Sequence, residues 1–132
     1  MTSDLSVGLT GEATTVVTSD LTAIALGSGD VAVYGTPALI ALLEAAAVDA
    51  VAGHLDPDAT SVGVHLDVRH LAATPVGMTV RATATLIEVA GRKLTFTLEA
   101  RDEAELIASG SHQRVVVDRA RFVTGVENKG GA

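Results

Sequence analysis

The chain has no cysteine and no tryptophan, and one tyrosine and two phenylalanines are its only aromatic residues. Without cysteine it can form no disulfide, no thiolate nucleophile and no sulfur-ligated metal centre. That composition fits a reducing compartment such as the cytoplasm. Positive charge is scarce as well. Nine Lys and Arg stand against sixteen Asp and Glu, a net charge of −7, which argues against a nucleic-acid backbone as partner. An anionic small molecule would need a local basic patch against that background. Long apolar runs are also missing. The longest, Ala38 to Leu43, falls far short of the ~20 residues that cross a bilayer. No basic region followed by an apolar run and a small-residue cleavage site opens the chain. The expectation is a cytoplasmic protein that engages neither nucleic acid nor membrane.

What the chain does have is aliphatic bulk. Hydrophobic residues make up 48% of its 132 positions, enough for the core of one domain. With so few aromatics, that core must be built from Val, Leu, Ile and Ala, which suit a sheet packed on an Ala-rich helix.

Residues 1–11 are small and polar and read as a flexible lead-in to a domain spanning 12–125. Thr14-Thr15-Val16-Val17-Thr18 marks a short strand within Glu12 to Ser19. Asp20 to Gly35, with three glycines, reads as a loop. Thr36-Pro37 opens a helix, with Thr36 as N-cap and Pro37 at the first helical position. The helix runs to Ala52 and stops before Gly53. Between Ala38 and Ala52 its only polar side chains are Glu44 and Asp49, so burial on nearly all sides is expected.

Four strand-like segments follow. Val62, Val64, Leu66 and Val68 alternate with Gly63, His65, Asp67 and Arg69 and predict one buried face. Met78 to Leu86, Leu94 to Leu98 and Leu106 to Val117 supply three more, separated by turns at Thr74–Gly77, Gly91-Arg92 and Asp102-Glu103. From Asp118 onward the sequence is polar, and 126–132 reads as a flexible tail. One strand, one apolar helix and four antiparallel-looking strands make an α+β chain.

Several residues could carry chemistry. Glu44 sits mid-helix among Leu42, Leu43, Ala45 and Ala46, where an unpaired carboxylate is costly. It is either a site residue or a carboxylate paired with an arginine at a seam. His70 ends the apolar row of its strand and suits acid–base work near neutral pH, or it is a capped core histidine. Thr36 is explained by capping alone, yet its hydroxyl would lie at a positive helix end, where an oxyanion could be held. Thr36 and Glu44 are eight residues apart, roughly 12 Å along a straight helix, so a shared site must span a substrate or cross a dimer interface. Gly63 weakens its strand unless something approaches its backbone, or unless it marks a bulge. Arg114 is a phosphate or carboxylate partner, or a surface arginine. His54, Asp56 and Asp58 read as a turn rather than metal ligands. Dinucleotide fingerprint, P-loop and Gly-x-Ser-x-Gly elbow are all missing.

Taken together, Thr36-Pro37, Leu42-Leu43-Glu44-Ala45, Ser61-Val62-Gly63, Val68-Arg69-His70, Ala73-Thr74-Pro75-Val76-Gly77, Gly91-Arg92 and Ser109-Gly110-Ser111-His112-Gln113-Arg114 resemble the fluoroacetyl-CoA thioesterase family. The resemblance runs without gaps from Thr36 to Arg114. It implies a hotdog fold, an antiparallel β-sheet wrapped around one long buried helix. It also implies hydrolysis of a short- or medium-chain acyl-CoA by a homodimer whose site lies at the subunit interface. The catalytic set it implies falls on Thr36, Glu44 and His70, with Gly63 lining the thioester site and Arg114 holding substrate. No metal or cofactor is expected. The family's fluoroacetyl-selective member carries aromatic lid residues between first strand and helix. Here Leu21 to Gly35 holds only Tyr34, so the hydrolytic set is implied and fluoroacetyl selectivity is not. A non-catalytic acyl-CoA-binding protein is the alternative, and a dehydratase ranks last for want of its Asp/His motif.

Overall fold

The computed structural model describes residues 4–131. Residues 1–3 of the expected lead-in and residue 132 of the expected tail lie outside them. The chain runs β1 (Thr10–Val16), α1 (Ala23–Leu26), α2 (Thr36–Val51), β2 (Ala59–His70), β3 (Thr79–Ala90), β4 (Lys93–Arg101), β5 (Leu106–Asp118) and α3 (Arg119–Lys129). The strands form one antiparallel sheet in the order β1-β3-β4-β5-β2. Sheet curvature wraps the strands around α2, which packs chiefly on β1 and β3.

Period-two patterning sets the inner face, as expected. Val80, Ala82, Ala84 and Leu86 on β3, and Leu94, Phe96, Leu98 and Ala100 on β4, are all buried. They meet Leu39, Leu43, Ala46, Ala47, Ala50 and Val51 of α2. Each of the larger aliphatic side chains contributes roughly 1.5–3 kcal/mol on burial. The alternate residues Thr83, Thr85, Thr97 and Glu99 line the polar outer face.

The small residues of α2 let β1 approach its backbone. A Cβ on Gly11 would collide with the backbone of Ala46 and Ala50. Beside it, the Glu12 N–H donates to the Asp49 carboxylate at 3.0 Å. β1 accordingly begins at Thr10, two residues before the expected boundary.

Four other expectations need correction. α2 is buried along one face only, since Val48 keeps 46% of its surface exposed and Ala41 and Ala45 are also open. Alanine's small side chain makes a helix look apolar all round without demanding burial all round. Secondly, 20–35 is not a plain loop. It holds a 3-10 turn at Ser19–Leu21, the short α1 capped by Thr22, and bridges from Thr22 to Tyr34 and from Val33 to Pro75.

The polar C-terminal stretch forms α3, because Asp118 accepts a hydrogen bond from the Arg121 N–H at 2.9 Å and caps it. That helix covers 126–129 of the expected flexible tail.

Lastly, the buried row on β2 is out of phase over its first half. The register shifts between Gly63 and His65, so that Gly63 opposes Arg114 while Leu66 opposes His112. Such a bulge adds one residue and reverses which side chains face inward. Ser61 and Gly63 face the helix side before it, and Leu66, Val68 and His70 after it. Val62 faces outward, and Val64, the extra residue, is 55% exposed. β2 is also an edge strand, with its middle, 63–67, open to solvent.

Candidate active site

Two groups of polar residues line the inner face, one at the start of α2 and one at its middle. At the start, Thr36 is the first residue of the helix and Gly35 occupies the N-cap position. This corrects the capping role expected of Thr36. Its hydroxyl is released to a different partner, His70 Nδ1, at 2.8 Å. The two line a cleft of about 350 Å³ with Val33, Leu71, Ala72 and Ala73. Burial holds the His70 imidazole below its ordinary value, with the Ala72 backbone pulling the other way. Its Nε2 is buried without a hydrogen-bond partner among the described residues. A neutral ring with one unpaired nitrogen is suited to giving or taking a proton.

In the second group, Glu44 projects from α2 onto β5 and β2. Arg114 Nη1 donates to Glu44 Oε2 at 3.1 Å. Arg114 Nε donates to Ser61 Oγ at 2.8 Å, and Nη2 donates to the Ser61 carbonyl at 3.0 Å. With only 6% of its surface exposed, Arg114 is no surface arginine. A planar guanidinium satisfied on three nitrogens is a rigid anchor for a carboxylate. The Ser61 contact depends on the bulge, since Ser61 faces inward only because phase changes after Gly63.

Gly63 completes this group. A Cβ there would overlap Glu44 Oε2 and touch His112 and Arg114. The carboxylate therefore rests directly on bare backbone. The register shift makes Gly63 a bulge position, and the group that approaches its backbone is the Glu44 carboxylate.

His112 belongs here too, and sequence reasoning gave it no role. It is wholly buried, with Nε2 3.2 Å from Arg114 Nη1 and 3.9 Å from Glu44 Oε2. Its alternation with Arg114 and Val116 on β5 was the available signal. That pattern shows a shared face, but not that the face meets Glu44.

Thr36 and His70 thus come together, as do Glu44, Gly63 and Arg114. Among the described residues no hydrogen bond or ion pair joins the two groups within one chain. A carboxylate anchored by arginine over a backbone strip, and a Thr–His pair in a cleft, are group types that acyl transfer can use.

Known proteins show the same architecture. The family model described as fluoroacetyl-CoA-specific thioesterase matches residues 17–120. A fluoroacetyl-CoA thioesterase from Streptantibioticus cattleyicolor is 40% identical over 97 residues, 74% of this chain and 70% of that protein. A variant of the fluoroacetyl-CoA-specific thioesterase, solved with fluoroacetate and CoA, superposes with a TM-score of 0.83. It is 35% identical, and the match covers 89% of this chain and 99% of that one. A hot-dog-like protein from Thermanaerovibrio acidaminovorans gives a TM-score of 0.84 at 26% identity, over 93% and 91% of the two chains. The curled five-stranded sheet on its long helix is the hotdog fold. With four-fifths of its length matched by the family model, the chain belongs to the fluoroacetyl-CoA-specific thioesterase family.

Proposed function

We infer that the protein hydrolyses a short- or medium-chain acyl-CoA thioester to the free acid and CoA, acting as a homodimer with Glu44 as the reacting carboxylate. The observation that carries this reading is the placement of Glu44 Oε2. It is fixed by Arg114 directly over the backbone of Gly63, where no side chain intervenes. A thioester carbonyl seated beside that backbone meets the carboxylate and a potential N–H donor together. Glu44 attacks the carbonyl carbon to give an acyl–Glu44 anhydride that water then cleaves, or it takes a proton from a water that attacks the carbonyl itself. CoA leaves as its thiolate, to which the neutral His70 ring relays a proton drawn from water. Thr36, bonded to His70 Nδ1, holds the ring in place. Trapping an acyl–Glu44 adduct marks the first route.

A homodimer reconciles the two groups of residues. In one chain Gly63 and His70 lie seven residues apart on β2, roughly 23 Å of strand. β2 is an edge whose exposed middle, 63–67, is centred on His65. An unpaired edge with exposed Val64 and Leu66 favours pairing with a second copy. Antiparallel pairing about His65 sets the partner subunit's Gly63 opposite Asp67, three residues or roughly 10 Å from His70. One site would then combine Glu44, Gly63 and Arg114 of one subunit with Thr36 and His70 of the other.

Co-expression of Glu44→Gln and His70→Asn chains tests this. Each homodimer lacks a working site, whereas the mixed dimer regains one intact site and about half the wild-type turnover per dimer. An inactive mixed dimer would place the whole site within one chain. A non-catalytic acyl-CoA-binding role is not favoured, and it would show as saturable binding without thiol release.

A further inference from the structure

His112 lies wholly buried on β5, and the chemistry above makes no use of it. Its partners allow only one protonation pattern. Nδ1 is 2.8 Å from the His65 carbonyl oxygen, an atom that can only accept, so Nδ1 carries the hydrogen. Nε2 is 3.2 Å from Arg114 Nη1, a group that can only donate, so Nε2 presents its lone pair. The same Nη1 reaches Glu44 Oε2 at 3.1 Å. One hydrogen of this nitrogen thus goes to His112 and the other to Glu44. The carbonyl that orients the ring belongs to His65, at the register shift on β2. Re-aiming a group next to a site is a recurrent use of such bulges.

We propose that His112 is a positioning residue. As the neutral Nδ1–H tautomer it fixes the direction in which Arg114 presents its hydrogen to the Glu44 carboxylate. The proposal rests on the reading of Glu44 as the reacting group. The charged and titratable groups facing the ring are Arg114 on its own strand, Glu44 from α2 and His65 from β2. Burial is the main influence and holds the imidazole below its ordinary value. Arg114 and His65 push the same way, against the His65 carbonyl and Glu44. Protonation would put an N–H on Nε2 facing Arg114, break that bond and loosen the guanidinium that holds Glu44.

The full-length protein carrying His112→Gln or His112→Asn tests the proposal. Gln can offer its amide oxygen where Nε2 stood. Asn can replace the Nδ1 donor but gives Arg114 nothing. The expectation is that His112→Asn loses kcat by about 10²-fold, the scale of a misplaced reacting group, with little change in KM. His112→Gln recovers most of that loss. In the wild-type protein, which needs no substitution to fold, 15N NMR finds the buried imidazole as the Nδ1–H tautomer. Wild-type kcat in His112→Asn, equal losses in both variants, or an Nε2–H tautomer would each overturn it. Glu44→Gln measured in parallel separates the two levels. Full turnover in Glu44→Gln removes the reading of Glu44 itself. A dead Glu44→Gln beside an unaffected His112→Asn removes only the role of His112.

Discussion

Arg114 Nη1 lies 3.1 Å from Glu44 Oε2, a residue 70 positions away, and this contact ties the sheet to the Glu44 carboxylate on the helix. Arg114→Gln keeps an amide donor but loses the fork that bonds Ser61 and Glu44 at once. Its kcat should fall by about 10²-fold. The Glu44 side chain keeps 36% of its surface exposed, so solvent screens it. The stability loss should therefore stay below the ~3–5 kcal/mol that follows breaking a fully buried pair. Steady-state kinetics and denaturant melts of the same variant read both quantities. A large stability loss with unchanged kcat would make the contact structural only.

Gly63→Ala should separate activity from stability in the same way. The added Cβ overlaps Glu44 Oε2, the far end of a flexible side chain that can swing aside at small cost. The melting midpoint should stay within a few degrees of wild type, while kcat drops by about 10²-fold as the carboxylate leaves its place. Retained activity would show that Glu44 need not rest on that strip of backbone.

Gly11→Ala presents the opposite case. Its Cβ would meet the backbone of Ala46 and Ala50, which cannot rotate out of the way. Overpacking of this kind typically costs about 1–3 kcal/mol, and chemical denaturation should find a loss of that size. A variant as stable as wild type would contradict the close seating of β1 on α2.

The pH dependence follows from His70, whose burial lowers its pKa. A neutral ring is ready at neutral pH. kcat/KM should be level there and fall on acidification only below the ordinary histidine value of about 6.5. The sign for stability is the same. Between the lowered folded value and the ordinary unfolded one, the unfolded chain binds the extra proton. The contribution is thus present above about 6.5 and lost as pH falls. His112, lowered by burial as well, adds to it. An acid limb above 6.5 in the kcat/KM profile would contradict this assignment.

Much of this was legible in the sequence, for physical reasons that differ by element. The rows Val80 to Leu86 and Leu94 to Ala100 alternate without interruption, and period two sufficed to place them. Glu44, Gly63 and His70 stood out because each sits oddly in its local pattern, whereas Thr36 and Arg114 had ordinary local readings and only the family resemblance singled them out. The first half of β2 misled because a bulge shifts phase without any signature beyond a glycine. α3 escaped notice because its only large apolar residues, Phe122, Val123 and Val126, are too few beside Gly125 and a polar tail to set a period. Thr36 satisfied the rules of an N-cap so well that its bond to His70, set by tertiary packing, could not be read locally. His112 was missed because its role depends on Arg114 and on a carbonyl 47 residues away.

The most direct measurement is thiol release from a panel of acyl-CoAs, acetyl and fluoroacetyl through medium-chain, by the wild-type protein and by Glu44→Gln. The account predicts release by the wild type from at least one member of the panel, and a loss of about 10³-fold or more in the variant. Equal release by both proteins, with each confirmed folded, would contradict it.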